Sequence, residues 1–188
     1  QIISKGRDMK ILYLIITLLG SFSLGANEVV DELKSGEGYV LIALNIEAGY
    51  VPHKVTLDGD GFFSGLMFKD LGGYNNYWLV PAKAGTYTWD RIYLDGRHYL
   101  DIGDDNYSIK VEEGKINYGG HLSLYTEMNA FQSELLGGAR TYFNNRSTRA
   151  FAYLSANYTE LVDKYPLHYS GSYRDHFFNY LNDLEKNE

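Results

Sequence analysis

Between residues 38 and 125 the chain is interrupted every few residues by Gly, Asp or Asn, and the intervening runs favour strand over helix. That punctuation predicts a sheet structure over this stretch. Gly38 to Ile46 (GYVLIALNI) is apolar on both faces, the pattern of a central strand covered on both sides. His53–Leu57 and Phe62–Phe68 flank the turn-rich Asp58-Gly59-Asp60-Gly61. Tyr77–Val80 runs into Pro81, which must end a strand or lie on a sheet edge. Thr86–Leu94 and Arg97–Ile102 flank Asp95-Gly96, which predicts a two-residue type I′ hairpin. In Tyr107–Glu112 apolar and polar residues alternate. Glu113-Gly114 then turns the chain into a strand with Ile116, Tyr118, Leu122 and Leu124 on one face, an expected second hairpin. Strands at this spacing predict a mainly β fold, an antiparallel β-sandwich of the immunoglobulin type.

After residue 147 the period changes. Phe151, Leu154, Tyr158, Leu161, Val162 and Tyr165 recur at helical spacing before Pro166, with Ser147 or Thr148 as the expected N-cap. Ser172 is the expected cap of a second helix, whose stripe is Tyr173, Phe177, Tyr180, Leu181 and Leu184. Both stripes read as packing faces. Residues 126–137 fit a loop or a turn or two of helix. The expected organisation is a sandwich over 27–146 and two C-terminal α-helices over 147–188, packed on it.

Residues 9–26 (MKILYLIITLLGSFSLGA) combine a charged start, an apolar run and a small-residue exit, the parts of a secretory signal peptide. An uncleaved anchor is the alternative, but the apolar run is shorter than the ~20 residues that span a bilayer. If the signal is cleaved, no stable membrane span is expected. Residues 1–8 precede Met9 and read as an upstream extension of the reading frame. The expected location is a bacterial periplasm or exterior, since export without any Cys is less typical of small extracellular eukaryotic domains.

Lys plus Arg number 17 against 24 Asp plus Glu, a formal charge of -7. Without residues 1–26, which hold Lys5, Arg7, Lys10 and Asp8, 14 basic and 23 acidic residues remain, a charge of -9. That balance argues against a nucleic-acid partner. The absence of Cys excludes disulfides, a thiolate zinc or iron–sulfur site, a Cys nucleophile and a lipid anchor on Cys.

Catalytic motifs do not assemble. Ser64 in Gly61-Phe-Phe-Ser-Gly65 misses the spacing of a nucleophile elbow, and a strand is expected where the elbow needs a helix. His53, His98, His121, His168 and His176 form no pair at ligand spacing, although a strand pairing of His98 with His121 stays open. Asp58-x-Asp60 and the cluster Asp101, Asp104, Asp105 gather the hard oxygen ligands that calcium prefers, but both miss the register of an EF-hand loop. Their plainer reading is as turn formers. No phosphate-cradling Gly loop with Lys is present. For binding, the candidates are Tyr74, Asn75, Asn76 and Tyr77, which combine rigid aromatic area with adaptable amides. Tyr77 and Trp78 also fit a core strand.

Pro81-Ala-Lys-Ala-Gly85-Thr-Tyr87-Thr-Trp89 resembles the Pro-x-Gly-x-Tyr strand start of prealbumin-like and PEGA-like sandwiches. Tyr107-Ser-Ile-Lys-Val-Glu-Glu-Gly114-Lys-Ile-Asn-Tyr118-Gly-Gly-His-Leu122 is similar to the strand–Gly–strand segment of the same bacterial envelope domains. Asp163-Lys-Tyr-Pro166 looks like the tail of secreted bacterial proteins that carry such a sandwich. The resemblance covers residues 38–125. It implies a non-catalytic, accessory or surface-binding protein and carries over no catalytic residue. The expected partner is a glycan, a peptide or an envelope protein. The alternative is a secreted hydrolase working through loop carboxylates, with calcium at Asp101, Asp104 and Asp105.

Overall fold

A computed structural model describes residues 30–48, 51–61, 65–94, 97–103, 107–126, 139–171 and 175–185. In chain order the strands are β1 (Glu37–Ala48), β2 (Lys54–Gly59), β3 (Leu66–Lys69), β4 (Asn75–Lys83), β5 (Gly85–Tyr93), β6 (Tyr99–Asp101), β7 (Ser108–Val111), β8 (Ile116–Tyr125) and β9 (Arg140–Asn144). Helices α1 (Ser147–Asn157) and α2 (Thr159–Lys164), strand β10 (Leu167–Tyr169) and helix α3 (Phe177–Glu185) follow. Residues 9–26, Ser64, Asp95-Gly96, Asp104, Asp105, Ser172 and the ambiguous stretch 127–137 lie outside the described residues.

The fold is mainly β, as expected. Sheet A has the order β10-β8-β1-β4, with β9 also paired to β8; sheet B has the order β3-β2-β5-β6, with β7 also paired to β5. β1 is the central strand its two-faced apolarity predicts. Val40, Ile42, Leu44 and Ile46 point into a core shared with Val55, Leu57, Trp89, Ile92 and Ile109 of sheet B. Tyr39, Leu41 and Ala43 point the other way, into a second core with Ala150, Leu154, Val162, Phe178 and Leu181 of the helices. Each fully buried Leu or Ile contributes roughly 1.5–3 kcal/mol.

Antiparallel pairing predominates, but β8 pairs with both β1 and β10 in parallel. The second expected hairpin does not form. β7 pairs with β5 in sheet B, while the next strand, β8, belongs to sheet A. Glu112 to Lys115 therefore crosses between sheets, and Asn117 holds the crossing. Its side-chain N–H groups face the carbonyls of Tyr39 (3.0 Å), Glu112 (3.0 Å) and Lys115 (3.1 Å). Its oxygen accepts the Glu112 N–H at 3.0 Å and meets His168 Nδ1 at 3.0 Å. Gly38 is required beside it, because a Cβ there would strike the Glu112 carbonyl oxygen. Asn117→Ala strands several buried backbone groups and is expected to cost about 2–4 kcal/mol, read as a lower urea midpoint.

The face assignment of β8 needs a second correction. Ile116 and Tyr118 belong to the helix-side core, whereas Leu122 and Leu124 belong to the core between the sheets. Leu41 pairs with Tyr118 but Ala43 pairs with His121, so β8 carries one extra residue. This β-bulge at Gly119-Gly120 reverses the side-chain alternation. Gly120 has φ +126, and a Cβ there would lie 2.6 Å from Phe143.

β4 runs through Pro81 on the edge of sheet A. Pro81 lies opposite Tyr39, whose N–H goes to Lys115 on the other side of β1. The missing proline N–H thus falls on the free edge and blunts it. The first predicted helix is divided at Tyr158. Asn157 Nδ2 donates to the Tyr153 carbonyl (2.8 Å) and Thr159 Oγ1 to that of Ser155 (2.7 Å), bonds that compete with helix continuation. Neither Ser147 nor Thr148 is the N-cap of α1. Arg146 holds that position without a side-chain cap bond, and Asn145 Oδ1 accepts the Ser147 N–H at 3.0 Å. At α3 Asp175 accepts the Phe177 N–H at 2.7 Å.

Candidate functional site

The four predicted binding residues separate into three environments. Tyr74 is 72% exposed, with φ 66°, and Asn75 beside it is exposed. Asn76 is buried and shapes the loop: its Oδ1 accepts the Gly72 N–H (2.6 Å) and its Nδ2 donates to the Gly72 carbonyl (3.1 Å). Tyr77 turns toward the helices and stacks on Tyr153 at 4.4 Å. Trp78 faces the opposite side, stacked on Phe68 at 4.8 Å. Only Tyr74 and Asn75 therefore present their side chains openly to solvent.

Behind Tyr77 the bulge brings Tyr118 and His121 onto one face of sheet A. Tyr118 Oη hydrogen-bonds His121 Nδ1, and His121 Nε2 lies 2.9 Å from the Tyr77 hydroxyl. The Arg146 N–H, at the start of α1, donates to Tyr118 Oη at 3.2 Å. Burial, reinforced by Arg146 and Arg149, pushes His121 down to about 3. Burial raises both Tyr118 and Tyr77 above the ordinary phenol range. A neutral ring satisfies every partner in one arrangement. Tyr118 accepts from Arg146 and donates to Nδ1, while Nε2–H donates to Tyr77. His121 is 1% and Tyr118 0% exposed, so a substrate reaches neither while α1 stays seated. The network positions α1 over the bulge.

His98 and His121 do not pair, since His98 follows β5 in sheet B. Of the acidic candidates, Asp60 accepts the Thr86 N–H at 2.8 Å and fastens its loop to β5. Asp101 lies on the outer face of sheet B, 3.5 Å from Arg91 Nε. Asp104 and Asp105 lie outside the described residues, among which no group of three or more His, Asp or Glu is placed to hold a metal.

Asp101 leads to a surface that the sequence reading missed. The register aligns side chains in rows across the outer face of sheet B. Lys69 lies opposite Lys54, Lys54 opposite Tyr93, and Tyr93 opposite Tyr99. The adjacent row is Met67, Thr56, Arg91 and Asp101. At roughly 4.8 Å between strands, each row spans about 14 Å. Lys54 Nζ sits 3.8 Å from the Tyr93 ring centre, and Arg91 Cζ lies 4.8 Å from that of Tyr99. The two rings are 5.7 Å apart and tilted by 44°. The Tyr93 hydroxyl, Asp90 and Asp101 together hold the Arg91 guanidinium above its ordinary value. Thr56 Oγ1 donates to Asp90 Oδ2 at 3.0 Å. Arg97, His98, Tyr99, Leu100 and Asp101 line an open depression of about 480 Å³ at the end of this face.

A loop-length difference creates the platform. Leu94 N–H bonds the His98 carbonyl and Tyr93 lies opposite Tyr99, so the register leaves three positions between Leu94 and His98 where the sequence predicts a two-residue turn. A two-residue turn would have placed Tyr99 opposite Ile92, facing the core. With the extra residue Tyr99 lies outward, opposite Tyr93. The outward parity of Lys54, Thr56 and Tyr93 was legible from the inward Val55, Leu57 and Ile92.

Compared with known proteins, the chain matches no family model and no curated sequence.

Proposed function

We propose that this chain is an exported, non-catalytic β-sandwich protein of a bacterial envelope, of the prealbumin-like kind, which binds a glycan on the outer face of sheet B. Export rests on the leader-like pattern of residues 9–26. The observation that carries the binding reading is the adjacent pair Tyr93 and Tyr99, with Tyr99 42% exposed beside the open depression. Sugar rings present C–H faces that stack on aromatic rings and hydroxyls that need donors and acceptors at their rim. Thr56, Arg91 and Asp101 supply both kinds of group next to the rings. An extended peptide would instead seek an open strand edge for backbone hydrogen bonds, which a sheet face does not offer.

The test is a glycan panel run on the purified protein and on Tyr99→Ala. The alanine variant is expected to keep its melting temperature within a few degrees and to lose tenfold or more in affinity. Equal affinity of the two proteins for every retained glycan would remove this face from the reading.

A further inference from the structure

We infer that the glycan this face takes is anionic, with carboxylates seated on Lys54 and Lys69 and a sugar ring on Tyr93 and Tyr99. The inference rests on the binding reading above and adds the charge class of the ligand.

Lys69 and Lys54 stand directly opposite each other on β3 and β2. Like charges at directly opposed positions destabilise a strand pair. Neither lysine has an acidic partner among the described residues. Two carboxylates beside the rows serve other groups: Asp90 takes the Thr56 hydroxyl, and both Asp90 and Asp101 flank Arg91. Asp58 lies two rows away, about 13 Å along β2. In a chain of net charge -7, an uncompensated lysine pair therefore stands beside two aromatic rings.

Charge and ring occupy the same row in a definite order: Lys69, Lys54, Tyr93, Tyr99. A carboxylated sugar matches that order, since its acid group projects from the rim of the ring it decorates. Stacked on Tyr93, such a ring sets its carboxylate toward Lys54, and the next residue of an acidic chain reaches Lys69. Lys54 Nζ now lies over the Tyr93 ring, 3.8 Å from its centre, so a sugar stacks on that face as the ammonium swings off it to meet the carboxylate. An acidic peptide satisfies the lysines but leaves the ring pair without a stacking partner of matching shape.

The experiment measures binding of the full protein to oligogalacturonate, alginate and hyaluronan oligomers, each against its own methyl ester. Polyglutamate and phosphatidylserine vesicles run in parallel. The expected result is retention of at least one acidic oligomer, at least tenfold tighter than its ester and weakening with added NaCl. Lys54→Ala/Lys69→Ala is expected to abolish that tenfold preference while its melting temperature is kept. Lys110→Ala, which removes a charge 68% exposed on β7, is expected to leave the preference intact. Equal binding of acid and ester would overturn the charge assignment and leave glycan binding standing. Binding of neither across the panel would overturn both. Retention of polyglutamate or vesicles without any oligomer would assign the face to an acidic peptide or a membrane surface, and overturn the inference.

Discussion

Gly120→Ala is expected to destabilise the protein by about 2–6 kcal/mol, a substantial fraction of the about 5–15 kcal/mol that keeps a domain folded. Two costs combine. A side chain at φ +126 carries backbone strain of order 1–3 kcal/mol. The new Cβ also meets the Phe143 ring at 2.6 Å and the Asn144 carbonyl at 3.1 Å, and overpacking of this kind costs about 1–3 kcal/mol. Phe143 is a buried member of the core between the sheets, so its ring cannot swing into solvent. Relief comes only by undoing the bulge, which would turn His121 off the Tyr118 face. Equilibrium unfolding with parallel near-UV circular dichroism tests both parts. A variant within 0.5 kcal/mol of the parent, with an unchanged aromatic spectrum, would contradict the account.

Lowering the pH from 7.5 to 4.5 is expected to remove on the order of 2 kcal/mol of stability through His121 alone. The sign follows from where the proton binds. In the unfolded chain the imidazole titrates near 6.5, whereas in the folded protein burial, with Arg146 and Arg149, pushes it to about 3. Between those values the unfolded state takes up a proton that the folded state refuses. The stabilisation is therefore complete above about 6.5 and is lost progressively as pH falls toward 3. His168, pushed down chiefly by its burial, acts in the same direction. Glu112, held low first by the Lys115 hydrogen bond, adds a loss only within the carboxylate range. Subtracting the pH profile of His121→Gln isolates the first contribution. A difference profile that is flat from 7.5 to 4.5 would show that His121 is not held neutral.

These two residues also mark where sequence pattern and structure part. β1 was legible because its apolar residues occupy both parities, and the change of period near 147 located the helices. The hairpin between β5 and β6 was legible in kind but not in length. One residue decided whether Tyr99 faced the core or the solvent, and alternation on a three-residue strand is too short to resolve that. The β7–β8 hairpin was misread because Glu113-Gly114 is good turn chemistry for either a hairpin or a crossing. What decides between them is Asn117, which reaches a carbonyl on β1 and a histidine on β10. Such partners are remote in sequence and invisible to a local window. Gly119-Gly120 offered the clue to the bulge, since paired glycines inside a strand often mark one. The candidate binding row eluded the sequence for the same non-local reason. Lys69, Lys54, Tyr93 and Tyr99 come from four strands, and only the register brings them into line.

The placement of β1 also sets an order of folding. Its neighbour β4 is close in sequence, for Asn76 lies 32 residues beyond Leu44, while Asn117 on its other side lies 78 residues beyond Tyr39. Closing so long a loop is slow, and a topology dominated by such distant pairs folds on the slow side for its size. Throughout that interval Tyr39, Leu41 and Ala43 lack part of their cover, because Ala150, Leu154, Val162, Phe178 and Leu181 arrive only after residue 147. A nascent chain ended short of residue 147 would expose an uncharged, aliphatic-rich segment of the composition that nucleates aggregates. The C-terminal helices thus complete late in synthesis a core that β1 opens early.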